Sequence, residues 1–171
     1  AKEHVTEEDI LHLVNAGNEN GVIEEQQREM INNIFEFDDI PISDVMTHRK
    51  ELVAIDIEMA ITDVVQLARE EKYSRMPVYQ DNIDNIIGVL NAKDLLALIG
   101  CPDISGYAVK RFLREALFVP ETAKCDDVLS EMSRKKAQMA IVVDEYGGTA
   151  GVVCMEDILE EIVGNIQDEY D

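Results

Sequence analysis

An internal duplication constrains this sequence more than any other feature. Four pairs of equivalent positions mark it, namely Asp63 and Asp127, Pro77 and Ile141, Gly88 and Gly151, and Asp94 and Asp157. The first two pairs are 64 positions apart and the last two are 63 apart. One residue is therefore lost between the two copies, in the hairpin turn. A chain that repeats a unit at fixed spacing builds the same supersecondary structure twice.

Each copy of the unit predicts a short apolar strand, a helix, two strands and a second helix. The predicted segments are 52–55, 63–68, 76–79, 86–90 and 95–99 in the first copy, and 117–119, 127–132, 140–143, 149–153 and 158–163 in the second. Three strands covered by two helices leave one sheet face bare. We therefore expect an α+β fold of two β-α-β-β-α repeats packed sheet to sheet.

The first 41 residues differ from the rest, with 11 acidic residues against two basic ones. Thr6 to Asp9 forms a capping-box pattern, which predicts a helix that the segment 15–21 ends. A second helix is predicted over 24–37, so this region forms an acidic helical hairpin. Its apolar stripe must rest on the following domain or on a partner chain. The predicted units are an acidic helical linker at 1–41, a first repeat at 42–104, and a second repeat at 105–171 with an acidic C-terminal end.

Charge and cysteine content exclude several classes of function. The chain carries 36 acidic and 15 basic residues, a net charge of −21, which repels polyanions and disfavours nucleic acid as a partner. The three cysteines suggest no disulfide framework and no CxxC metal-ligand pair, which fits a reducing, cytoplasmic setting. We see no apolar run long enough to span a membrane and no signal peptide. No metal-binding spacing and no catalytic triad can be assembled, so we expect no enzyme.

Five stretches of the sequence resemble a tandem pair of CBS domains, named after cystathionine β-synthase. They cover residues 44–47, 73–78, 88–95, 138–148 and 151–164. The last two, with the acidic ending at 167–171, are similar more narrowly to the hemolysin-like, CorC-type magnesium and cobalt efflux proteins, whose animal relatives are the cyclin M magnesium transporters. The resemblance implies a regulatory module on the cytoplasmic face of the inner membrane, attached to a membrane domain of the same protein and controlling its ion transport.

The same resemblance implies a homodimer of CBS pairs that binds AMP or ATP between its repeats. Mg²⁺ is a candidate cofactor bound together with ATP. Residue types support such a site. A carboxylate at a strand-to-helix turn can accept hydrogen bonds from both ribose hydroxyls, and Asp157 and Asp94 lie at such turns, although either could simply cap its helix. Arg75 can pair with phosphate, or instead with Glu70 or Glu71. The candidate nucleotide-binding residues are Thr47, Tyr73, Ser74, Arg75, Met76, Pro77, Cys154 and Asp157.

A second, equivalent cleft would use Asp94, Met139, Ala140 and Ile141. Met139 stands where the first cleft has Arg75, so we expect weak or no triphosphate binding there. The family usually has Thr or Ser where this chain has Cys154 and Asn91. Loss of those hydroxyls favours the alternative of a structural dimerisation module without a ligand. The sequence does not distinguish AMP, ADP and ATP.

Overall fold

The computed structural model describes residues 4–164, in which two four-stranded sheets are flanked by helices. The helices are α1 (Glu7–Glu19), α2 (Glu25–Phe37), α3 (Ile61–Glu71), α4 (Cys125–Lys135) and α5 (Met155–Val163). The strands are β1 (Thr47–His48), β2 (Ile55–Asp56), β3 (Arg75–Tyr79), β4 (Ile86–Asn91), β5 (Leu113–Arg114), β6 (Leu117–Pro120), β7 (Met139–Val143) and β8 (Thr149–Cys154). The acidic ending predicted at 167–171 lies outside the described residues.

The duplication is confirmed down to irregular backbone features. The sheet register shifts between Val78 and Tyr79 in the first copy and at the equivalent step in the second. Helices α3 and α4 are each followed by a C-cap lysine with left-handed backbone, Lys72 at φ 59° and Lys136 at φ 56°. The two lysines are 64 positions apart. Both copies therefore keep the same local geometry despite different side chains.

The two repeats exchange one short strand each, which the sequence pattern did not indicate. The sheet orders are β1-β8-β7-β6 and β2-β3-β4-β5. Strand β1 precedes the first repeat's own sheet but pairs with β8 of the second, and β5 pairs with β4 of the first. Each sheet thus has four strands instead of the expected three. The exchange ties the two copies together.

Three apolar clusters form the core and divide the molecule into layers. Two of them lie between a sheet and its helices, with Val78 in one and Val142 in the other. The third cluster, which includes Val89 of β4 and Ile141 of β7, lies between the two sheets. Side chains alternate between layers because successive strand residues point to opposite faces. The predicted sheet-to-sheet packing is confirmed.

The hairpin turns of the two repeats also meet, at the Asp84 carboxylate. Asp84 Oδ1 accepts hydrogen bonds from Arg49 Nη1 at 2.6 Å and from the Thr149 backbone N–H at 3.1 Å. Arg49 also donates to the Thr149 carbonyl at 3.1 Å. These bonds hold the pKa of Asp84 below its ordinary value. Arg49 therefore links the repeats.

The acidic hairpin packs on the second repeat. The predicted capping box is present, with Thr6 and Asp9 exchanging side-chain to backbone hydrogen bonds. The helix ends within the predicted segment 15–21 but late in it, because α1 continues to Glu19 and the chain turns at Gly21, where φ is +78°. Helix α2 rests on α5: the Asn33 side chain donates to the Ile162 carbonyl, and Phe37 is buried in the core. Of the two expected partners for the hairpin, the structure shows contact with the following domain.

The last helix of each repeat differs. The second repeat has α5, a regular α-helix, whereas the first has a 3₁₀ helix at Ala92–Leu98. Helix α5 is covered by α2, which has no counterpart over the first repeat among residues 4–164. Tertiary packing of this kind favours a regular helix. None of the helices within residues 4–164 is long and apolar enough to cross a bilayer.

Candidate functional site: two cavities between the repeats

A cavity of about 430 Å³ lies between the repeats, and we call it the first cavity. Seven of the eight candidate nucleotide-binding residues line it, namely Thr47, Tyr73, Ser74, Arg75, Pro77, Cys154 and Asp157. Its volume is within the range of small-ligand sites in proteins. Strand β3, the exchanged strand β1 and the turn into α5 bring these residues together from distant parts of the sequence.

Met76 is the one candidate that lies elsewhere. Its side chain is fully buried between the first sheet and its helices. Alternation along β3 explains this placement, because Arg75 and Pro77 share one face of the strand and Met76 has the other. Any contact of Met76 with a ligand in the first cavity would have to act through its backbone.

Asp157 is placed at the start of α5, in the third position of a capping box. Its Oδ2 accepts a hydrogen bond from the Cys154 backbone N–H at 3.3 Å, so the capping interpretation is correct for this oxygen. Its Oδ1 accepts no hydrogen bond from residues 4–164. The carboxylate is half-buried at the cavity wall. One acceptor oxygen therefore remains available to a hydroxyl-bearing ligand.

Arg75 pairs across the repeats, and neither Glu70 nor Glu71 holds it. Its Nη1 lies 3.4 Å from Glu156 Oε1, with 22% of the arginine side chain exposed. This long, partly exposed ion pair is weak. A phosphate could therefore displace Glu156 and take both guanidinium edges.

Thr47 and Cys154 complete the wall around Asp157 without adding charge. Burial, followed by the charge of Asp157, raises the pKa of the Cys154 thiol to about 11. The thiol is therefore neutral at physiological pH and a weak hydrogen-bond partner. Thr47 is half-buried on β1, opposite Val152, and supplies the hydroxyl that Cys154 lacks.

A second cavity of about 600 Å³ lies beside the first. Its wall repeats the first almost position by position: Ala116, Ala137, Gln138 and Met139 follow Leu52, Tyr73, Ser74 and Arg75 by 64 residues. Two alanines in place of Leu52 and Tyr73 explain its larger volume. Arg75 and Met139 line both cavities, so the cavities meet at these two side chains.

The residues predicted for the second cleft are mostly elsewhere. Met139 lines the second cavity, whereas Ala140 is buried on the helix side of its sheet and Ile141 is fully buried between the sheets. Alternation along β7 again separates these neighbours. Asp94 does not line the second cavity either.

Asp94 is held by Arg114 of the exchanged strand β5. Arg114 Nε and Nη2 donate to the two carboxylate oxygens of Asp94, each at 2.7 Å, and these bonds hold the pKa of Asp94 below its ordinary value. By strand pairing, Arg114 takes the place of Thr47, since Thr47 pairs with Val152 and Arg114 with the equivalent Val89. Both oxygens of the Asp94 carboxylate are thus occupied.

Charge differs sharply between the two cavities, which sequence reasoning missed. The first cavity is lined by Lys72 and Arg75 against three acids, Glu51, Glu156 and Asp157. The second is lined by four cations against one acid: Arg75, Arg114, Lys135 and Lys136 face Glu115. The repeat spacing could have paired Lys72 with Lys136, but only the structure brings Arg114 to this wall.

Comparison with known proteins places this geometry in context. The family model described as "CBS domain" matches residues 42–100 and 109–164. The chain is 40% identical over 168 residues to the UPF0053 protein Rv2366c of Mycobacterium tuberculosis, covering 97% of this chain and 39% of that protein. It is 35% identical over 164 residues to the magnesium and cobalt efflux protein CorC of Escherichia coli K12, covering 96% and 56%. The chain therefore spans between about two fifths and about three fifths of the length of these relatives.

Solved structures give the same picture. The CBS domain of a bacterial CNNM/CorC family Mg²⁺ transporter is 43% identical with a TM-score of 0.89, covering 98% of this chain and all of that one. A CBS domain of that family in complex with ATP is 47% identical with a TM-score of 0.78, covering 81% and 98%. A CBS-domain pair from Klebsiella pneumoniae with bound AMP is 33% identical with a TM-score of 0.63, covering 73% and 99%.

Proposed function

Since the chain belongs to the CBS domain family, as a CBS pair of the CorC type, we propose that its first cavity binds an adenine nucleotide. In this proposal the Asp157 carboxylate accepts hydrogen bonds from the ribose hydroxyls, and Arg75 binds phosphate. Pro77 and Tyr73 contact the base. Thr47 and Ser74 supply neutral hydrogen-bond groups at the wall. The second cavity does not take a nucleoside.

The single observation that carries the proposal is the unequal state of the two equivalent carboxylates. Asp157 keeps one oxygen available within a cavity that also contains Arg75. Asp94 has both oxygens bound by Arg114. A carboxylate oxygen can accept hydrogen bonds from ribose hydroxyls, and of the two equivalent aspartates Asp157 keeps an oxygen available for them. The ATP and AMP complexes of similar CBS structures support the same ligand class.

We further propose that nucleotide binding regulates a membrane transporter of which this chain forms one part, at the cytoplasmic face of the membrane. The similarity to CorC and to the CNNM/CorC transporters supports this. Nucleotide can shift the module only if it binds one arrangement of the repeats better than another. The acidic hairpin packed on α5 would carry that shift, because Asp157 lies in the first turn of α5.

A homodimer of these modules is also part of the proposal. Leu96 in the 3₁₀ helix of the first repeat and Ile99 at its C-cap are 63% and 77% exposed, and Phe118 on β6 is 49% exposed. Large exposed apolar side chains are typical of interfaces. Light scattering of the purified chain tests this, with a dimer expected at micromolar concentration and a strict monomer contradicting it.

Titration calorimetry with AMP and with ATP, each with and without Mg²⁺, tests nucleotide binding directly. We expect Asp157→Ala to abolish binding of both nucleotides and Arg75→Ala to weaken ATP more than AMP. Asp94→Ala is the matched control, since it removes the equivalent carboxylate and should leave both affinities unchanged. Equal heats from wild type and Asp157→Ala, with equal melting temperatures, would contradict the proposal.

A structural module without ligand is the second candidate. The acids of the first cavity outnumber its cations, which disfavours an anionic ligand, and Cys154 lacks the hydroxyl found in the family. A ligand that binds only the folded state raises the melting temperature. Millimolar AMP and ATP that leave it unchanged would favour this candidate.

A further inference from the structure

The junction between the two cavities lies at Arg75 and Met139. These residues are repeat equivalents, 64 positions apart, and both line both cavities. An anion bound to Arg75 is therefore at the edge of the first cavity and at the entrance of the second. What lies beyond Arg75 decides how long a phosphate chain can extend.

Beyond Arg75 the second cavity presents two lysines at the end of α4. Lys136 makes no ion pair with any of residues 4–164, and Lys135 has only a 3.6 Å contact with Glu131. Both are exposed and line the cavity. Arg114 is committed to Asp94, so the two lysines are the cations of this wall that an anion can recruit most easily.

The backbone of Lys136 strengthens this point. Its φ of +56° is a conformation that glycine adopts at little cost and other residues adopt at some expense. A helix that ends in this geometry usually ends in glycine. A lysine kept at a strained position beside a cavity points to a use for its side chain.

The Lys136 side chain is close enough to meet a phosphate chain that starts at Arg75. Lys136 is three residues before Met139 in the chain, so their Cα atoms are at most about 11 Å apart. The flexible lysine side chain shortens that gap from one side. A second and third phosphate on a nucleotide shorten it from the other, starting at Arg75.

We propose that the phosphate chain of a nucleotide in the first cavity crosses Arg75 into the second cavity, where Lys135 and Lys136 select triphosphate over monophosphate. This inference rests on the proposed function and adds the specificity of that site. The second cavity then serves as the phosphate end of one site. Its four cations offset the chain's net charge of −21 where the ligand is most negative.

The test compares ATP and AMP affinity by calorimetry in wild type, Lys136→Gly and the double variant Lys135→Ala/Lys136→Gly. We expect the double variant to bind ATP at least about tenfold more weakly, because each substitution removes a charge-assisted contact to the phosphate chain. AMP affinity should stay within about twofold, because a single phosphate ends at Arg75. Lys110→Ala, which removes one exposed charge outside both cavities, should leave both affinities unchanged.

Each outcome is decisive. Unchanged ATP affinity in the double variant overturns the inference, as does an equal loss for AMP and ATP. If wild type binds neither nucleotide, the proposed function itself fails. Melting temperatures without ligand should not fall in Lys136→Gly, because glycine suits a positive φ, so loss of folding cannot imitate the expected result.

Discussion

The two cavities share one backbone design and differ in a few side chains with opposite consequences. In the first, Thr47 of the exchanged strand leaves the nearby Asp157 available. In the second, Arg114 at the equivalent place binds Asp94 completely. We therefore propose that a single position on each two-residue strand decides whether the aspartate beside it can bind a ligand.

Duplication makes this divergence possible because fold and site depend on different residues. The core positions are retained in both copies, with Val78 and Val142 in matching clusters. The cavity positions have changed, since Tyr73 and Arg75 correspond to Ala137 and Met139. In our proposal, one cavity binds the nucleoside while the other provides a basic surface.

The largest effect on stability is expected from adding a methyl group at the two glycines against which the exchanged strands pair. A Cβ at Gly151 would lie 2.1 Å from the Thr47 carbonyl oxygen, and one at Gly88 would lie 2.6 Å from that of Arg114. Backbone atoms cannot move aside without breaking strand pairing, so Gly151→Ala and Gly88→Ala should each destabilise the fold by about 3 kcal/mol. Chemical denaturation measures this.

Gly106→Ala is the control, because a Cβ there meets nothing within 4 Å. Gly151→Ala and Gly88→Ala should lower stability by similar amounts if the exchanged strand is equally important in each repeat. A loss in only one of the two variants would show that one exchanged strand is dispensable.

Much of this fold could be predicted from the sequence, because the duplication fixes where equivalent elements begin. Placement of Met76 and Ala140 away from the cavities was also readable from strand alternation. The 3₁₀ helix at Ala92–Leu98 and the exchange of β1 and β5 were not. Two-residue strands carry no periodic signal, and their pairing depends on contacts between distant segments.

A second prediction converts one cavity toward the other. Thr47→Arg should place a guanidinium beside Asp157, as Arg114 lies beside Asp94, and should weaken AMP and ATP binding by at least about tenfold. Thr47→Ser keeps the hydroxyl and should retain binding. Calorimetry on both variants checks this, and normal AMP affinity in Thr47→Arg would show that Arg114 does not explain the difference.

A third prediction concerns Asp84, which lies in the first hairpin turn, one residue longer than the second. Its pKa is lowered in the folded state, first by the Arg49 hydrogen bond and then by the Thr149 N–H. A depressed carboxyl pKa stabilises the fold above the unfolded value and loses that effect as pH falls through the folded value. Asp84→Asn should therefore lower the melting temperature slightly at pH 7, and the difference from wild type should shrink as the pH falls below the ordinary pKa of an aspartate.

The matched control is Asp81→Asn, in the same turn with φ +73°, where asparagine is tolerated. It should show no such pH-dependent difference. A gap between wild type and Asp84→Asn that persists unchanged at low pH would mean that Asp84 acts through shape and not through charge.

The smallest effect is expected where the repeats are most alike, at the ends of α3 and α4. Lys72 and Lys136 have φ values of 59° and 56°, so glycine at either position should relieve backbone strain. Glycine also loses more conformational entropy on folding, and the net stabilisation should be roughly 0.5 kcal/mol in each case. Thermal denaturation of Lys72→Gly and Lys136→Gly should give equal small increases. Unequal shifts would mean that one lysine side chain contributes to folding, so that the repeats differ in their helix ends as well as in their cavities.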